Sequence, residues 1–105
     1  MTADQGTLFR GLDHAVDFDR FVEDHPEAWL MFCRFADEAI AAHRVAGRTP
    51  RIGAKAVAER VRWETTIAAK DVYGWRWNNS YTAHAARRFM AERPYLEGVF
   101  ETRGR

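Results

Sequence analysis

The stretch WRWNNSYTAHAARRFMAER, residues 75–93, is the part of the chain on which the reading of the fold turns. Trp75, Arg76 and Trp77 alternate aromatic and basic side chains before Asn78-Asn79-Ser80. Asn and Ser suit a helix start because their side-chain oxygens accept from the orphan N–H groups of the first turn. From Tyr81 the apolar residues recur at Ala85 and Phe89, with Ala86 and Met90 alongside, which is one helix face. His84, Arg87 and Arg88 fall mostly off that face. The spacing predicts a capped helix over 80–93, buried on one side and cationic on the other, with Pro94 as its breaker.

Immediately upstream, Val72–Trp77 reads as a strand, since Val, Tyr and Trp suit a pleated half-buried surface. Alternation then places Trp75 and Trp77 on one face and Arg76 on the other. Downstream, Val99–Thr102 reads as a second short strand. The two flank the helix 80–93 and are expected to pair antiparallel behind it.

The helices before them follow from spacing. Residues 53–69 show Ala54, Val57, Ala58, Val61 and Ala68 at helical intervals, with Ile67 and Trp63 on an adjoining face. Pro26–Ala46 is the clearest helix: Trp29, Phe32, Cys33, Ala36, Ile40 and His43 make one stripe. Pro26 suits a first helical turn, Glu27 complements the dipole there, and Gly47 suits the position just past the end. His43 is expected to cap that end, and Cys33 to be a small buried hydrophobe. Asp17–Asp24 reads as a short helix with Phe18, Phe21 and Val22 on one side, and residues 1–16 as loosely ordered. The expected core is Trp29, Phe32, Ile40, Val57, Val61, Phe89 and Phe100, joined by Trp63 and by Trp75 or Trp77.

The order helix, helix, helix, strand, helix, strand predicts a single α+β domain over 1–105. It is mostly helical, with three or four helices and a small antiparallel sheet from 72–77 and 99–102. It resembles a winged-helix or helix-turn-helix variant, in which the last helix would enter a major groove. Two departures stand out. Lys70–Asn79 separates the two helices that a short turn usually joins, and few residues follow the last helix to build a wing.

Composition narrows the function classes. A 105-residue chain with 47% hydrophobic and 13% aromatic residues has material for one core and does not read as disordered. No apolar run approaches the ~20 residues of a membrane helix. The start MTADQGTLFR lacks a signal pattern, so a cytoplasmic setting is expected. Cys33 is the single cysteine, which excludes an internal disulfide and a cysteine-built zinc site. The four histidines show no metal-ligand spacing, and no nucleophile elbow or phosphate-binding glycine loop occurs. No catalytic residue, metal or cofactor is therefore expected. Charge is split along the chain. Residues 1–40 carry nine acidic side chains against three arginines, while residues 41–105 carry thirteen Lys or Arg against six acids. Arg outnumbers Lys fourteen to two, which suits bidentate phosphate contact and also suits a GC-rich genome.

Beyond these patterns, the C-terminal half resembles a group of small proteins encoded by bacteriophages and prophages. The likeness rests on Ala54-Lys55-Ala56-Val57, Glu59, Val61-Arg62-Trp63, Asn78-Asn79, Tyr81, Ala86-Arg87, Phe89, Gly98, Phe100-Glu101 and Arg103. It implies a phage or prophage setting within a bacterial host cell. It supplies no catalytic or binding residues and leaves the acidic N-terminal half unexplained.

Two functional expectations follow. The first is DNA binding, with Arg76, Asn78, Asn79, Ser80, Thr82, His84, Arg87 and Arg88 as the contact surface. The arginines would neutralise phosphates, and the polar residues at the helix start would reach bases or phosphates. Asn79 and Ser80 are equally suited to plain capping. The second is an accessory protein that binds and inhibits a host protein, for example one of a host-defence system. Its acidic N-terminal half would fill a basic cleft or mimic nucleic acid.

Overall fold

The computed structural model describes the backbone of residues 10–100 and the side chains from residue 17 onward. Among these residues the chain forms α1 (Arg10–Asp24), α2 (Pro26–Val45), α3 (Ala54–Arg62) and α4 (Tyr81–Glu92), with a 3-10 turn at Pro94–Leu96. At Trp63–Ala68, α3 continues as a π-helix.

The four helices share one core. Phe18, Phe32, Val61, Thr65 and Phe89 are its largest fully enclosed side chains. All seven core positions expected from the spacing are buried, together with both Trp75 and Trp77. The rings stack through the centre: Trp29 lies parallel to Phe32 at 5.8 Å, and Phe32 parallel to Trp77 at 5.3 Å. Phe18 meets Trp29 and Trp77 edge-on, each at 6.1 Å. Phe89 meets Phe100 the same way at 5.4 Å. Such pairs add ~0.5–1.5 kcal/mol each beyond area burial.

The α2–α3 turn follows the expected chemistry. Gly47 sits at φ +76°, in the left-handed region. The N–H of Arg48 donates to the carbonyl of His43 at 2.9 Å, and that of Gly47 to Arg44 at 3.0 Å. This is a Schellman closure with glycine at its left-handed position. His43 Nδ1 donates one turn back to the carbonyl of Ala39 at 3.0 Å, inside the helix, so the expected capping of the free end by His43 is made instead by the backbone N–H groups of Ala46, Gly47 and Arg48.

Four expectations are overturned. First, the fold is helical: the described residues contain no sheet, so neither the small antiparallel sheet nor the winged-helix arrangement is present. Their β contact is one parallel bridge between Ile52 and Phe100, supported by the Ile52 N–H on the Val99 carbonyl at 2.8 Å. Residues 99–100 therefore pair with the α2–α3 loop and not with 72–77. Residues 101–102 of the expected second strand lie outside the described residues, as do residues 1–9.

Second, 72–77 is not a strand. Lys70 (φ 53°) and Asp71 (φ 61°) turn the chain left-handed, and Val72 and Tyr73 complete a turn. Only Trp75–Trp77 then behaves as the alternation predicts, with both indoles inward and Arg76 outward. Its hydrogen bonds come from side chains instead of a neighbouring strand.

Third, Trp63 is 61% exposed and lies outside the core. Fourth, residues 10–16 are helical, because α1 starts at Arg10. Extending a helix already nucleated costs little per residue.

Candidate functional site

The structure places each residue of the expected contact surface, and most of them already hold a neighbour. Arg76 is exposed and pairs with Asp71 at 3.3 Å. Asn78 Oδ1 accepts the Ser80 N–H at 2.9 Å, a local turn of the kind Asn forms readily. Ser80 occupies the cap position of α4 without a side-chain capping bond. Asn79 Oδ1 accepts from the guanidinium of Arg62. Thr82 faces inward, its Oγ1 accepting from Trp77 Nε1 at 3.2 Å. His84 stacks on Phe18 at 6.3 Å. Arg88 pairs with Glu92 at 3.1 Å and lies 4.8 Å over the Trp29 ring. Arg87 is exposed and is the one arginine of the set with no ion pair among the described residues. Of these side chains, Asn79 and Thr82 link the 75–82 segment to α3 and α4.

The segment is held by two further bonds. Trp75 Nε1 donates to Glu27 Oε2 at 2.8 Å. Arg62 Nε donates to the Trp77 carbonyl at 3.2 Å. The Glu27 carboxyl is held below its ordinary pKa, chiefly by its own backbone N–H, with Trp75 and nearby His25 assisting against the desolvation that opposes them. Burial pushes the Cys33 thiol up, so it stays protonated at neutral pH and is a poor nucleophile. Burial also raises Tyr81.

What stands out instead is the outer face of α3 and its π-helical extension. The cause is local. Thr65 Oγ1 donates to the Val61 carbonyl at 3.0 Å, and Thr66 Oγ1 to the Arg62 carbonyl at 2.7 Å. Hydroxyls that take i−4 carbonyls compete with the backbone ladder and loosen it. The backbone then reaches one residue further: the Ala69 N–H donates to Glu64 at 3.0 Å. Thr65 is buried at the 4-spacing after Val61, while Trp63 and Ile67 turn outward, 61% and 55% exposed. They border a shallow hollow of about 250 Å³ with Glu59, Arg62 and Thr66. Arg62 is occupied by Trp77 and Asn79, whereas Glu59 and Glu64 form no ion pair among the described residues. The hollow is thus an apolar ledge bordered by one unpaired carboxylate, Glu59, and by an arginine that is already occupied.

Sequence reasoning missed this ledge because it took Trp63 for core on size. The signal was the phase: Trp63 follows buried Val61 by two residues, about 200° round a helix.

A larger depression of about 500 Å³, lined by Met90, Ala91, Pro94, Glu97, Gly98 and Phe100, carries one ionisable group. Among the described residues no cluster of His, Cys, Asp and Glu could hold a metal ion, and no helix is long and apolar enough to cross a membrane. Compared with known proteins, the chain matches no family model, no curated protein and no solved structure.

Proposed function

We propose that the chain is a non-catalytic module that docks on another protein through Trp63 and Ile67. The observation that carries this is the pair of large apolar side chains left outward on a helix whose neighbouring positions fill the core. Isolated exposed apolar residues are ordinary on a protein surface, but Trp is the residue most enriched among interface hot spots. Glu59, the unpaired charge in the hollow's lining, favours a partner whose apolar pocket carries a Lys or Arg at its edge, as complementary charge does at interfaces. In the phage or prophage setting implied by the sequence resemblance, the partner is a host protein whose activity the docked module blocks.

DNA binding at 76–88 is the weaker reading, because Arg76, Asn78, Asn79, Thr82 and Arg88 each already hold a partner. The deciding test is capture from bacterial lysate with the full chain, with and without nuclease, followed by reconstitution with the purified captured protein. The expected result is nuclease-resistant capture that Trp63→Ser weakens at least about 30-fold, the scale of a hot-spot tryptophan, and that Arg87→Ala leaves intact. Capture abolished by nuclease, or unchanged by Trp63→Ser, overturns the reading.

A further inference from the structure

A second surface lies at the other end of α3. Between Glu38 and Glu59 the sequence contains no acidic residue, while Arg44, Arg48, Arg51 and Lys55 all fall there. Arg44 and Arg48 are exposed and form no ion pair among the described residues. In contrast, Arg34, Arg60, Arg76, Arg88 and Arg93 are each paired with a carboxylate. The Schellman closure at Gly47 fixes the backbone between Arg44 and Arg48, so the two charges are displayed by an ordered turn. The Ile52 bridge to Phe100 ties the far end of this loop to the segment that follows α4.

That tie creates a groove of about 280 Å³, bordered by Arg44, Thr49, Arg51, Tyr95 and Glu97. Tyr95 sits on the 3-10 turn and is 77% exposed. An exposed ring beside outward guanidiniums is the pairing that single-stranded nucleic acids use: bases stack on the ring while cations follow the phosphates. A duplex keeps its base faces stacked inside and cannot use the ring in this way. Glu97 is the opposing element, a carboxylate on the wall that phosphate would approach.

We propose that the α2–α3 loop and Tyr95 form a contact surface for single-stranded nucleic acid, with Arg44 and Arg48 on phosphates and Tyr95 under a base. This surface is separate from the Trp63 ledge and does not depend on it.

The test is fluorescence anisotropy of the full chain with a short labelled oligothymidylate across a salt series. The wild-type chain binds at low salt. The double variant Arg44→Gln/Arg48→Gln lowers the slope of log affinity against log salt by about 1.4, or about 0.7 per lost contact on a single strand. Tyr95→Ala weakens binding about 5- to 140-fold, one stacked base, and Glu97→Gln tightens it. These side chains are exposed, and circular dichroism confirms that each variant keeps its helix content. Absence of binding at low salt overturns the proposal. So does a salt slope untouched by the double variant, or a duplex of equal length bound as tightly with Tyr95→Ala silent.

Discussion

The dipeptide Arg-Trp occurs twice, at 62–63 and at 76–77, and the fold uses the two copies in opposite ways. At 76–77 the tryptophan is buried, 3% exposed and stacked on Phe32, while Arg76 lies in solvent against Asp71. At 62–63 the arginine is the inward partner, donating to the Trp77 carbonyl, and the tryptophan is outside. The copies even touch, since Arg62 of one holds the backbone of the other. Residue type alone therefore does not decide which member of such a pair enters a core. The backbone does. A helix puts Trp63 about 200° from Val61, whereas the extended run 75–77 alternates Trp, Arg, Trp across the core surface.

The sharpest way to break this contrast is to delete each indole. Trp77→Ala should cost ~3–5 kcal/mol, as buried Trp or Phe truncations do. It removes the stack on Phe32 and leaves the Thr82 hydroxyl without its donor. Trp63→Ala should stay within about 0.5 kcal/mol of the parent, as substitutions at exposed positions do. Thermal or urea unfolding of the two variants decides it. Similar losses for both would mean that Trp63 is part of the folded core after all.

Next in size is Arg62. It spends its guanidinium on the Trp77 carbonyl and on Asn79, so it works as a bracket between α3 and the segment leading into α4. Arg62→Ala should cost roughly 1.5–3 kcal/mol, the range for hydrogen bonds made by a charged group. Arg62→Lys should recover little, because an ammonium cannot present the two-pronged geometry. Arg76→Ala should cost less than ~1 kcal/mol, since its ion pair is in open solvent. Equal losses at Arg62 and Arg76 in urea titrations would erase the asymmetry between the two dipeptides.

The same contrast explains what could be read from the sequence. Helices α2, α3 and α4 and the positions Trp29, Phe32, Ile40, Val57, Val61 and Phe89 followed from 3- and 4-residue spacing, and Gly47 from the need for a left-handed closing residue. The sheet was misread because β propensity measures fit to a half-buried surface. Trp75 and Trp77 have that fit against helices, with Arg62 in place of a partner strand. The surroundings of α4 were not legible for a related reason. Lying off the apolar stripe of one helix does not make a residue free. Phe18 from α1 rises beside His84, and Trp29 from α2 rises beneath Arg88. Those neighbours come from distant sequence, and no local period announces them. The ledge at Trp63 was legible in principle, because phase placed it outward, and hydrophobic bulk was the wrong guide.

The smallest effect separates the buried tryptophans by what holds their N–H groups. Trp77 donates to a neutral hydroxyl, and Trp75 to the Glu27 carboxylate. The Glu27 pKa is lowered in the folded chain, first by its own backbone N–H and then by Trp75 and His25. The unfolded chain therefore binds this proton more readily than the folded one. Its stabilising contribution is fully present above the ordinary glutamate value of about 4.3 and is lost as pH falls through the lower folded value. Glu27 is well exposed at the surface, so solvent screening keeps the contribution small. Glu27→Gln retains an oxygen that can accept from Trp75 but cannot titrate. Urea midpoints for parent and variant should differ most near neutral pH and converge as pH drops below about 4. A gap between them that is constant across that range would assign the Glu27–Trp75 contact to geometry alone, with no part played by charge.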